Sequence, residues 1–274
     1  MPIHDKLGTR MKDYESVPKT KLMHRTPVAI RIDGKAFHTF TRGFNKPFDD
    51  VLISAMQDTM KYLCENIQGC VLGYTQSDEI TLILVDYKRL NSSAWFDYEV
   101  QKVCSIAASM ATMAFNKAFN EGVQHRNLSY YAAHATMDNP HPQDDLGQTY
   151  AVKAQTGAMF DARCFNIPKE EVTNLVYWRQ LDATRNSIQM VGQANFSHKE
   201  LQGKSCEKIK EMLIAEKGIS WEDSHPMYKH GSCCIKVTTE TDGVTRSSWE
   251  IDKNIPLFIG EGREYIESLI QSEE

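Results

Sequence analysis

The spacing of apolar residues divides the first half of the chain into strands and helices. Residues 27–34, 69–78 and 79–87 are short apolar segments rich in β-branched and aromatic side chains, which predict three strands. The last two are joined around residues 76–79 and predict an antiparallel hairpin. Between the first strand and this hairpin, residues 49–67 repeat apolar positions with the helical period. The predicted order is therefore strand, helix, strand, strand.

The pattern continues with a second helix and a further strand before residue 169. Residues 94–120 predict a long helix whose small side chains allow close packing on a sheet. Residues 127–138 could form a strand, residues 138–148 predict a polar loop with prolines, and residues 158–168 predict the last strand. The order βαββαβ is that of the ferredoxin-like arrangement, an antiparallel sheet with both helices on one face. The predicted fold class is therefore α+β.

The second half of the chain predicts a helical stretch and another hairpin. Residues 169–217 are mainly helical, and residues 231–251 predict a β-hairpin that turns at Asp242-Gly243, a strong short-range turn signal. We therefore expect a palm-like main domain with an N-terminal extension at residues 1–168. Residues 169–274 are expected to form a helical and hairpin accessory region packed on it.

Composition and charge change this picture little. At 274 residues the chain is long enough to bury a large core. The net charge of -5 argues against a nonspecific polyanion binder, although local basic patches could still hold RNA. We expect a soluble cytoplasmic protein, because no segment has the apolar length of a membrane span and the first residues lack a signal-peptide core. Seven cysteines without a CxxC pair are typical of reduced thiols.

One group of cysteine and histidine residues opens a zinc interpretation. Cys233 and Cys234 are adjacent and lie near His225 and His230. Four such residues packed so closely along the chain more often belong to a loop that enters a strand. A loop that enters a strand is therefore the preferred interpretation of this segment, and a zinc site is the alternative.

Two aspartates follow neighbouring predicted strands. Asp33 ends the first strand and Asp78 lies in the hairpin. In the predicted fold these strands are central neighbours, so the two side chains could converge at one edge of the sheet. Two carboxylates on a rigid base can hold two Mg²⁺ ions that orient a triphosphate, since hard divalent cations prefer oxygen ligands. Gly34 has no Cβ and would let the backbone approach an ion or a phosphate closely.

The segment after Asp33 offers partners for phosphate groups. Its backbone N–H groups could cradle phosphates, with Lys35 or His38 against the charge and Lys46 as a further partner. Each signal also has an ordinary structural explanation. Asp-Gly after a strand often forms a turn, Ser-Asp-Glu in a hairpin is often solvated, and lysines often lie on the surface. Spacing alone therefore leaves a metal site and a solvated turn as alternatives.

Four motifs, taken together, resemble those of one enzyme family. The segments RIDGKAFHTF, GYTQSDE, YWRQLD and PMYKHG stand in the order and approximate spacing found in the tRNA-His guanylyltransferase family and its guanylyltransferase-like branch. The similarity runs from about residue 10 to about residue 235. Four separated motifs are far more specific than any one of them. The resemblance implies a palm like that of template-directed polymerases and nucleotide cyclases, used to extend tRNA at its 5′ end in the 3′-to-5′ direction.

The resemblance also implies roles for individual residues. Asp33 and Asp78 match the aspartates that bind two Mg²⁺ ions, Gly34 supplies a backbone carbonyl, and Glu79 matches an acidic catalytic residue. The implied contacts with the nucleoside triphosphates GTP and ATP are Asp33, Gly34, Lys35, Ala36, Phe37, His38, Lys46, Asp49, Ser77 and Asp78. The residues implied to contact tRNA or to support the active site from a nearby helix are Trp178, Arg179, Gln180, Asp182 and Asn186.

The chemistry implied by the resemblance has two steps. ATP first adenylylates a 5′-monophosphate end, and the 3′-hydroxyl of an incoming nucleotide, usually GTP, then displaces AMP; from a triphosphate end, pyrophosphate leaves instead. Members that add G opposite a non-pairing base carry His-Ile-Asn-Asn where this chain has residues 184–187 and keeps only Asn186. The departure favours templated repair of 5′-truncated tRNA over strict tRNA-His guanylylation. A nucleotide cyclase and a non-catalytic tRNA-binding module are the further alternatives, and the resemblance implies a homotetramer.

Overall fold

Six antiparallel strands form one sheet. The structure, a computed structural model, describes residues 6–136, 138–139, 142–241 and 244–272. Their strand order is β4-β1-β3-β2-β5-β6. The first four strands of this order have the ferredoxin-like arrangement, which confirms the predicted α+β fold. The strands are β1 Val28–Gly34, β2 Cys70–Gln76, β3 Glu79–Leu84, β4 Phe160–Asn166, β5 Ser232–Thr241 and β6 Val244–Asp252.

The helices account for most of the remaining described chain. They are α1 Lys6–Ser16, α2 Phe37–Phe40, α3 Asp50–Asn66, α4 Val100–His134, α5 Asp145–Thr156, α6 Val172–Asn195, α7 His198–Leu201, α8 Cys206–Met212, α9 Pro226–His230 and α10 Glu264–Glu267. Residues 169–217 are largely helical, as predicted. Within the described residues, none of these helices combines the length and the apolar character that crossing a bilayer requires.

One face of the sheet is covered by α3 and α4. Alternate residues of β1, such as Ile30 and Ile32, point into the core on this face. Rings from α2 and α4 complete it with centroid separations of 5.2–5.8 Å among Phe37, Phe40, Phe115 and Phe119. Both helices of the βαββαβ unit therefore lie on the same face, as predicted.

The opposite face of the sheet is covered by α6 and the C-terminal segment. Ala29 and Ile83 pack there against Val176, Phe258 and other buried apolar residues. Because β1 alternates, Arg31 and Asp33 lie on the same face as Ala29. The polar end of β1 and the N-terminal half of α6 thus share one side of the sheet.

The second helix of the unit differs from its prediction at both ends. It starts at Val100 because a separate turn, Trp95–Tyr98, has left-handed backbone at Phe96 (φ 50) and Asp97 (φ 52). It continues to His134, so the strand predicted at residues 127–138 is wrong. The helix continues because Arg126 forms an ion pair with Asp144, and the hydroxyl of Tyr130 donates to the carbonyl of Gln143 at 2.7 Å. These contacts outweigh the strand preference of the adjacent tyrosines.

The polar loop predicted at residues 138–148 ends earlier than expected. Helix α5 begins at Asp145, where the side chain of Asp144 accepts from the backbone N–H of Gly147 and caps the helix. Asp144, a residue type that favours the N-cap position, was the sequence feature that could have predicted the start of this helix. Part of the predicted loop lies outside the described residues.

The C-terminal hairpin is confirmed and extends the main sheet. Strand β5 pairs with β2 through Gly73↔Cys234 and Thr75↔Ser232, and it pairs with β6 along its other edge. The turn predicted at Asp242-Gly243 lies outside the described residues. The division into residues 1–168 and 169–274 stays a prediction.

Candidate functional site

The end of β1 and the β2–β3 hairpin meet at one edge of the sheet. Asp33 lies opposite Glu79 on β3 and opposite Asp161 on β4. The two-residue turn Ser77-Asp78 follows β2, and the backbone N–H of Gly34 donates to the carbonyl of Asp78 at 3.1 Å. The structure therefore brings Asp33 and Asp78 together from two neighbouring strands, as the strand ends predicted.

The local backbone depends on Gly34. A Cβ at this position would lie 2.2 Å from the ring of Phe37, which fills the core beneath it. Ala36 then takes a left-handed conformation, φ 55, and opens α2. The chain can turn this sharply behind Asp33 only because the residue next to Asp33 has no side chain.

The electrostatics around Asp33 and Asp78 favour a bound cation. Burial raises the pKa of Asp33, and Glu79 and then Asp161 raise it further. Burial also raises the pKa of Asp78, partly offset by the hydrogen bond from the Ser77 hydroxyl, at 2.9 Å, and Asp33 adds to the increase. Among the described residues neither aspartate forms an ion pair. The two half-buried carboxylates therefore have no directly paired cation, and the charges of Arg163 and Arg31 offset the raised pKa of Asp33 only in part.

Oxygen donors at this edge fit Mg²⁺. The available groups are two carboxylates and the backbone carbonyl of Gly34, and Mg²⁺ uses one or two carboxylates while keeping several waters. Across the described chain no cluster of three or more His, Cys, Asp or Glu side chains could hold a metal by itself. The donor set therefore suits a hard cation shared with a phosphate-bearing substrate.

Glu79 has a different environment from the two aspartates. Its carboxylate accepts from Arg31 Nη2 at 2.6 Å and from Arg179 Nη1 at 3.1 and 3.2 Å. The side-chain amide of Gln76 donates to it at 2.9 Å. Glu79 is thus neutralised by two guanidinium groups and lies beside Asp33, linking β1, β3 and α6.

The residues of the YWRQLD motif differ in burial and in partners along helix α6. Arg179 is buried, and its Nη2 bonds Asp182 at 2.9 Å. Gln180 is buried and ties α6 to the C-terminal segment, donating to the carbonyl of Pro256 at 2.8 Å and accepting from the N–H of Phe258 at 2.9 Å. Trp178 is 52% exposed. Gln180 is therefore a structural clamp, whereas Trp178 faces solvent.

A cavity of about 460 Å³ opens beside the hairpin turn. Its volume falls in the range of small-molecule sites. Of the predicted nucleotide and support residues, those lining it are His38, Lys46, Asp49, Ser77 and Asn186. Asp33, Gly34, Lys35, Ala36, Phe37 and Asp78 are not part of this lining. Because Ser77 lines the cavity and Asp78 follows it, the carboxylate pair lies at the edge of the cavity.

Other lining residues were missed by the sequence reasoning. Met56 and Met227 give the cavity apolar walls, and Gln57 and Ser232 add polar groups bonded to each other at 2.8 Å. Gln57 is a polar residue on the buried side of α3, and this position was the one sequence feature that could have identified it as a cavity residue. Ser232 becomes a neighbour only because β5 joins the sheet.

Asp49 is fixed by the fold. It is buried, caps α3 by accepting from the N–H of Leu52 at 2.9 Å, and accepts from the N–H of Asn45 at the same distance. The hydroxyl of Tyr150 also donates to it. Asp49 therefore shapes the loop that forms one wall of the cavity.

The segment after Gly34 offers backbone donors. Among the described residues, no acceptor is bonded to the backbone N–H groups of Ala36, Phe37 and His38. The N–H of Lys35 is already used, donating to the carbonyl of Met159 at 2.9 Å. The ring of Phe37 belongs to the core, so only the backbone of this residue faces outward.

The cysteine and histidine group near residue 230 does not converge. Cys233 and Cys234 follow each other on β5, so their side chains point to opposite faces of the sheet. His225 caps α9 and His230 ends it, with its Nδ1 3.0 Å from the hydroxyl of Thr184. This placement favours the loop and strand over a zinc site.

Comparisons with known proteins point to one family. Residues 8–168 match the sequence model of the Thg1 family, described as tRNAHis guanylyltransferase. A bacterial tRNA(His) guanylyltransferase-like protein in complex with ATP is 39% identical with a TM-score of 0.78, and the match covers 97% of this chain and 99% of that chain. A corresponding complex with GTP is 36% identical with a TM-score of 0.75 and the same coverage.

A viral relative extends the comparison. An uncharacterized protein of Acanthamoeba polyphaga mimivirus is 29% identical over 259 residues, covering 89% of this chain and 82% of that protein. The family match spans the first strand, the hairpin and β4, which together carry Asp33 and Asp78. The chain belongs to the tRNAHis guanylyltransferase family of nucleotidyltransferases.

Proposed function

We propose that this protein is a Mg²⁺-dependent 3′-to-5′ nucleotidyltransferase that extends the 5′ end of tRNA. The nucleotide added is mainly G from GTP, after ATP activates a 5′-monophosphate end. The observation that carries the proposal is the approach of Asp33 and Asp78 at the edge of a cavity of about 460 Å³. Solved structures of similar bacterial proteins contain ATP and GTP, which supports a nucleoside triphosphate as the ligand of this cavity.

The residues at the site divide the work of binding. Asp33, Asp78 and the carbonyl of Gly34 would hold two Mg²⁺ ions. When bound, these ions supply charge neutralisation for phosphoryl transfer. The N–H groups of residues 36–38 and the side chain of Lys46 bind phosphate oxygens, while the apolar walls of the cavity take a base. Glu79 positions the end of β1 through its two arginines.

The reaction proceeds in two displacements at phosphorus. A 5′-phosphate oxygen of the tRNA attacks the α-phosphorus of ATP, and pyrophosphate leaves. The 3′-hydroxyl of GTP then attacks the 5′-phosphorus of the tRNA, loses its proton, and displaces AMP. A 5′-triphosphate end needs no first step, because pyrophosphate is already its leaving group. Positioning of the two ends supplies much of the rate enhancement.

The contacts of residues 184–187 support templated repair. Thr184 bonds the carbonyl of Gln180 and His230, and Ser187 accepts from the indole N–H of Trp221 at 2.9 Å. Of this run, Asn186 and Ser187 line the cavity. Two of the positions that differ from the His-Ile-Asn-Asn run thus hold the fold together. We therefore propose repair of truncated tRNA, by a cytoplasmic homotetramer, as the physiological activity.

The experiment follows both displacements on a tRNA that lacks its first nucleotide. With ATP, GTP and Mg²⁺, we expect an adenylylated 5′ end to precede extension of the monophosphate substrate. The triphosphate substrate should be extended without ATP. Changing the base opposite the missing nucleotide should change the nucleotide that is added. Absence of extension from both ends would contradict the proposal, and cyclic nucleotide formed from GTP without RNA would favour a cyclase.

A further inference from the structure

Trp178 is an unusual residue to find on a protein surface. Tryptophan is highly buried on average, yet this residue is 52% exposed. It lies near the start of α6, in the half of that helix that packs on the sheet face carrying Asp33. An exposed indole beside a candidate reaction centre requires an explanation other than core packing.

Two arginines contact the indole. The guanidinium carbon of Arg179 lies 3.9 Å from the ring centroid of Trp178, and that of Arg31 lies 5.3 Å away. Both guanidinium groups also bind the carboxylate of Glu79. The cation–π contacts fix the ring, and its remaining surface is open to solvent.

The position of the ring along α6 relates it to the cavity. Asn186 lines the cavity and follows Trp178 by two helical turns, which corresponds to about 12 Å along the helix axis. Glu79, which joins both arginines, lies directly opposite Asp33. An RNA whose 5′ end reaches Asp33 and Asp78 would therefore bring its last base pair within reach of the indole.

We propose that Trp178 stacks on the exposed face of the terminal base pair of the tRNA acceptor stem. The proposal rests on the proposed function, and it adds a residue that orients the RNA end. Stacking accepts any base because every base has a π-face, so one platform serves tRNAs of different sequence. The register of Glu79 opposite Asp33 places the ring beside the edge where the proposed function brings the RNA 5′ end, which favours RNA over an apolar protein surface.

The test uses two variants that distinguish stacking on a base from simple apolar covering of the two arginines. Trp178→Phe keeps an aromatic ring, whereas Trp178→Leu keeps an apolar side chain without one. The control is Tyr131→Leu, which removes an exposed aromatic from α4, the helix that packs on the other face of the sheet. The probe is an acceptor-stem hairpin with 2-aminopurine in its terminal pair and a 5′-hydroxyl, which cannot be activated.

Stacking predicts quenching of the 2-aminopurine fluorescence by the wild-type protein, Trp178→Phe and Tyr131→Leu. Trp178→Leu should abolish the quenching and weaken RNA binding about tenfold to a hundredfold, the range that loss of one stacked base gives. On a 5′-monophosphate hairpin the same variant should raise KM for RNA by a similar factor. Its melting temperature and oligomeric mass should match those of the wild type.

Other outcomes overturn the proposal. Equal RNA affinity and quenching in Trp178→Leu would show that the ring only covers the arginines. A changed oligomeric mass in that variant would assign the ring to an interface between protein copies. Quenching by the wild type without any extension of the 5′-monophosphate hairpin would leave stacking intact and contradict the proposed function.

Discussion

At the scale of single residues, two aspartates without ion pairs dominate the electrostatics of the site. A carboxyl group whose pKa is raised by folding binds its proton more tightly in the folded state than in the unfolded state. Folding stability therefore falls as the pH rises through the raised pKa, and the loss persists above it. For Asp33 the causes are burial first, and then Glu79 and Asp161.

This sign predicts that Asp33→Asn stabilises the metal-free protein. Near neutral pH the melting temperature should rise by about 1–3 °C. The gain should disappear in acid below the unfolded-state pKa of about 3.9. Addition of Mg²⁺ should raise the melting temperature of the wild type and leave that of Asp33→Asn nearly unchanged. A variant that is less stable at neutral pH and gains as much from Mg²⁺ would refute this account of the charge.

Glu79 should respond differently, because it compensates two arginines. In Glu79→Gln the buried Arg179 keeps only Asp182 as a counter-charge, and we expect the free energy of unfolding to fall by about 2–4 kcal/mol. Chemical denaturation measures this change. Arg185→Met is the control, since it breaks an exposed pair with Asp182 in the same network and should cost about 0.5 kcal/mol or less. Equal small effects of both substitutions would contradict the role of Glu79 as a buried anchor.

The approach of Asp33 and Asp78 could be predicted from the sequence, but the partners of Glu79 could not. In the predicted topology β1 lies next to the β2–β3 hairpin, so Asp33 at the end of β1 and Asp78 in the hairpin turn are expected at the same edge of the sheet. Arg179 is 100 residues from Glu79 along the chain, and no local pattern encodes that contact. Register also mattered, because the pairing of Asp33 with Glu79 turns both side chains to the same face.

At the scale of elements, the junction between β1 and α2 depends on the contact of Gly34 with Phe37. Gly34→Ala should lower the free energy of unfolding by about 1–3 kcal/mol, because a Cβ would overlap the ring. Combining it with Phe37→Leu should cost less than the sum of the two single changes. If the losses in free energy of unfolding for Gly34→Ala and Phe37→Leu simply add in the double variant, the ring of Phe37 is not what excludes a side chain at residue 34.

The clamp between α6 and the C-terminal segment gives a second prediction at this scale. Gln180→Leu removes the partners of the Pro256 carbonyl and the Phe258 N–H, and we expect it to cost about 2–3 kcal/mol of folding stability. Denaturant titration measures this, and Gln193→Leu, a change of the same kind in the C-terminal half of α6, serves as the control. Indistinguishable losses in the two variants would contradict the clamp.

Periodicity identified the elements better than it placed their ends. Helix α3 and strands β1–β4 follow from apolar spacing that local burial imposes. The boundaries of α4 do not, because left-handed backbone at Phe96 starts it late, and contacts with residues 143 and 144 extend it. Such tertiary contacts override the strand preference of Tyr130 and Tyr131.

At the scale of the whole molecule, the sheet unites parts that are far apart in sequence. The pairing of β5 with β2 brings Ser232 to the cavity beside Ser77, so residues from both halves of the chain line one site. The sequence predicted this hairpin but not its strand neighbour, because pairing between distant strands leaves no local signal. The family match and the similar bacterial structure confirm the fold and the class of enzyme.

The central claim is that Asp33 and Asp78 support nucleotide addition at a tRNA 5′ end. The direct measurement is a denaturing-gel assay of a 5′-truncated tRNA incubated with ATP, labelled GTP and Mg²⁺. We expect the wild type to add label at the 5′ end and Asp78→Asn to lose about a thousandfold or more in rate. An unlabelled 5′ end with the folded wild type, or equal labelling by Asp78→Asn, would contradict the claim.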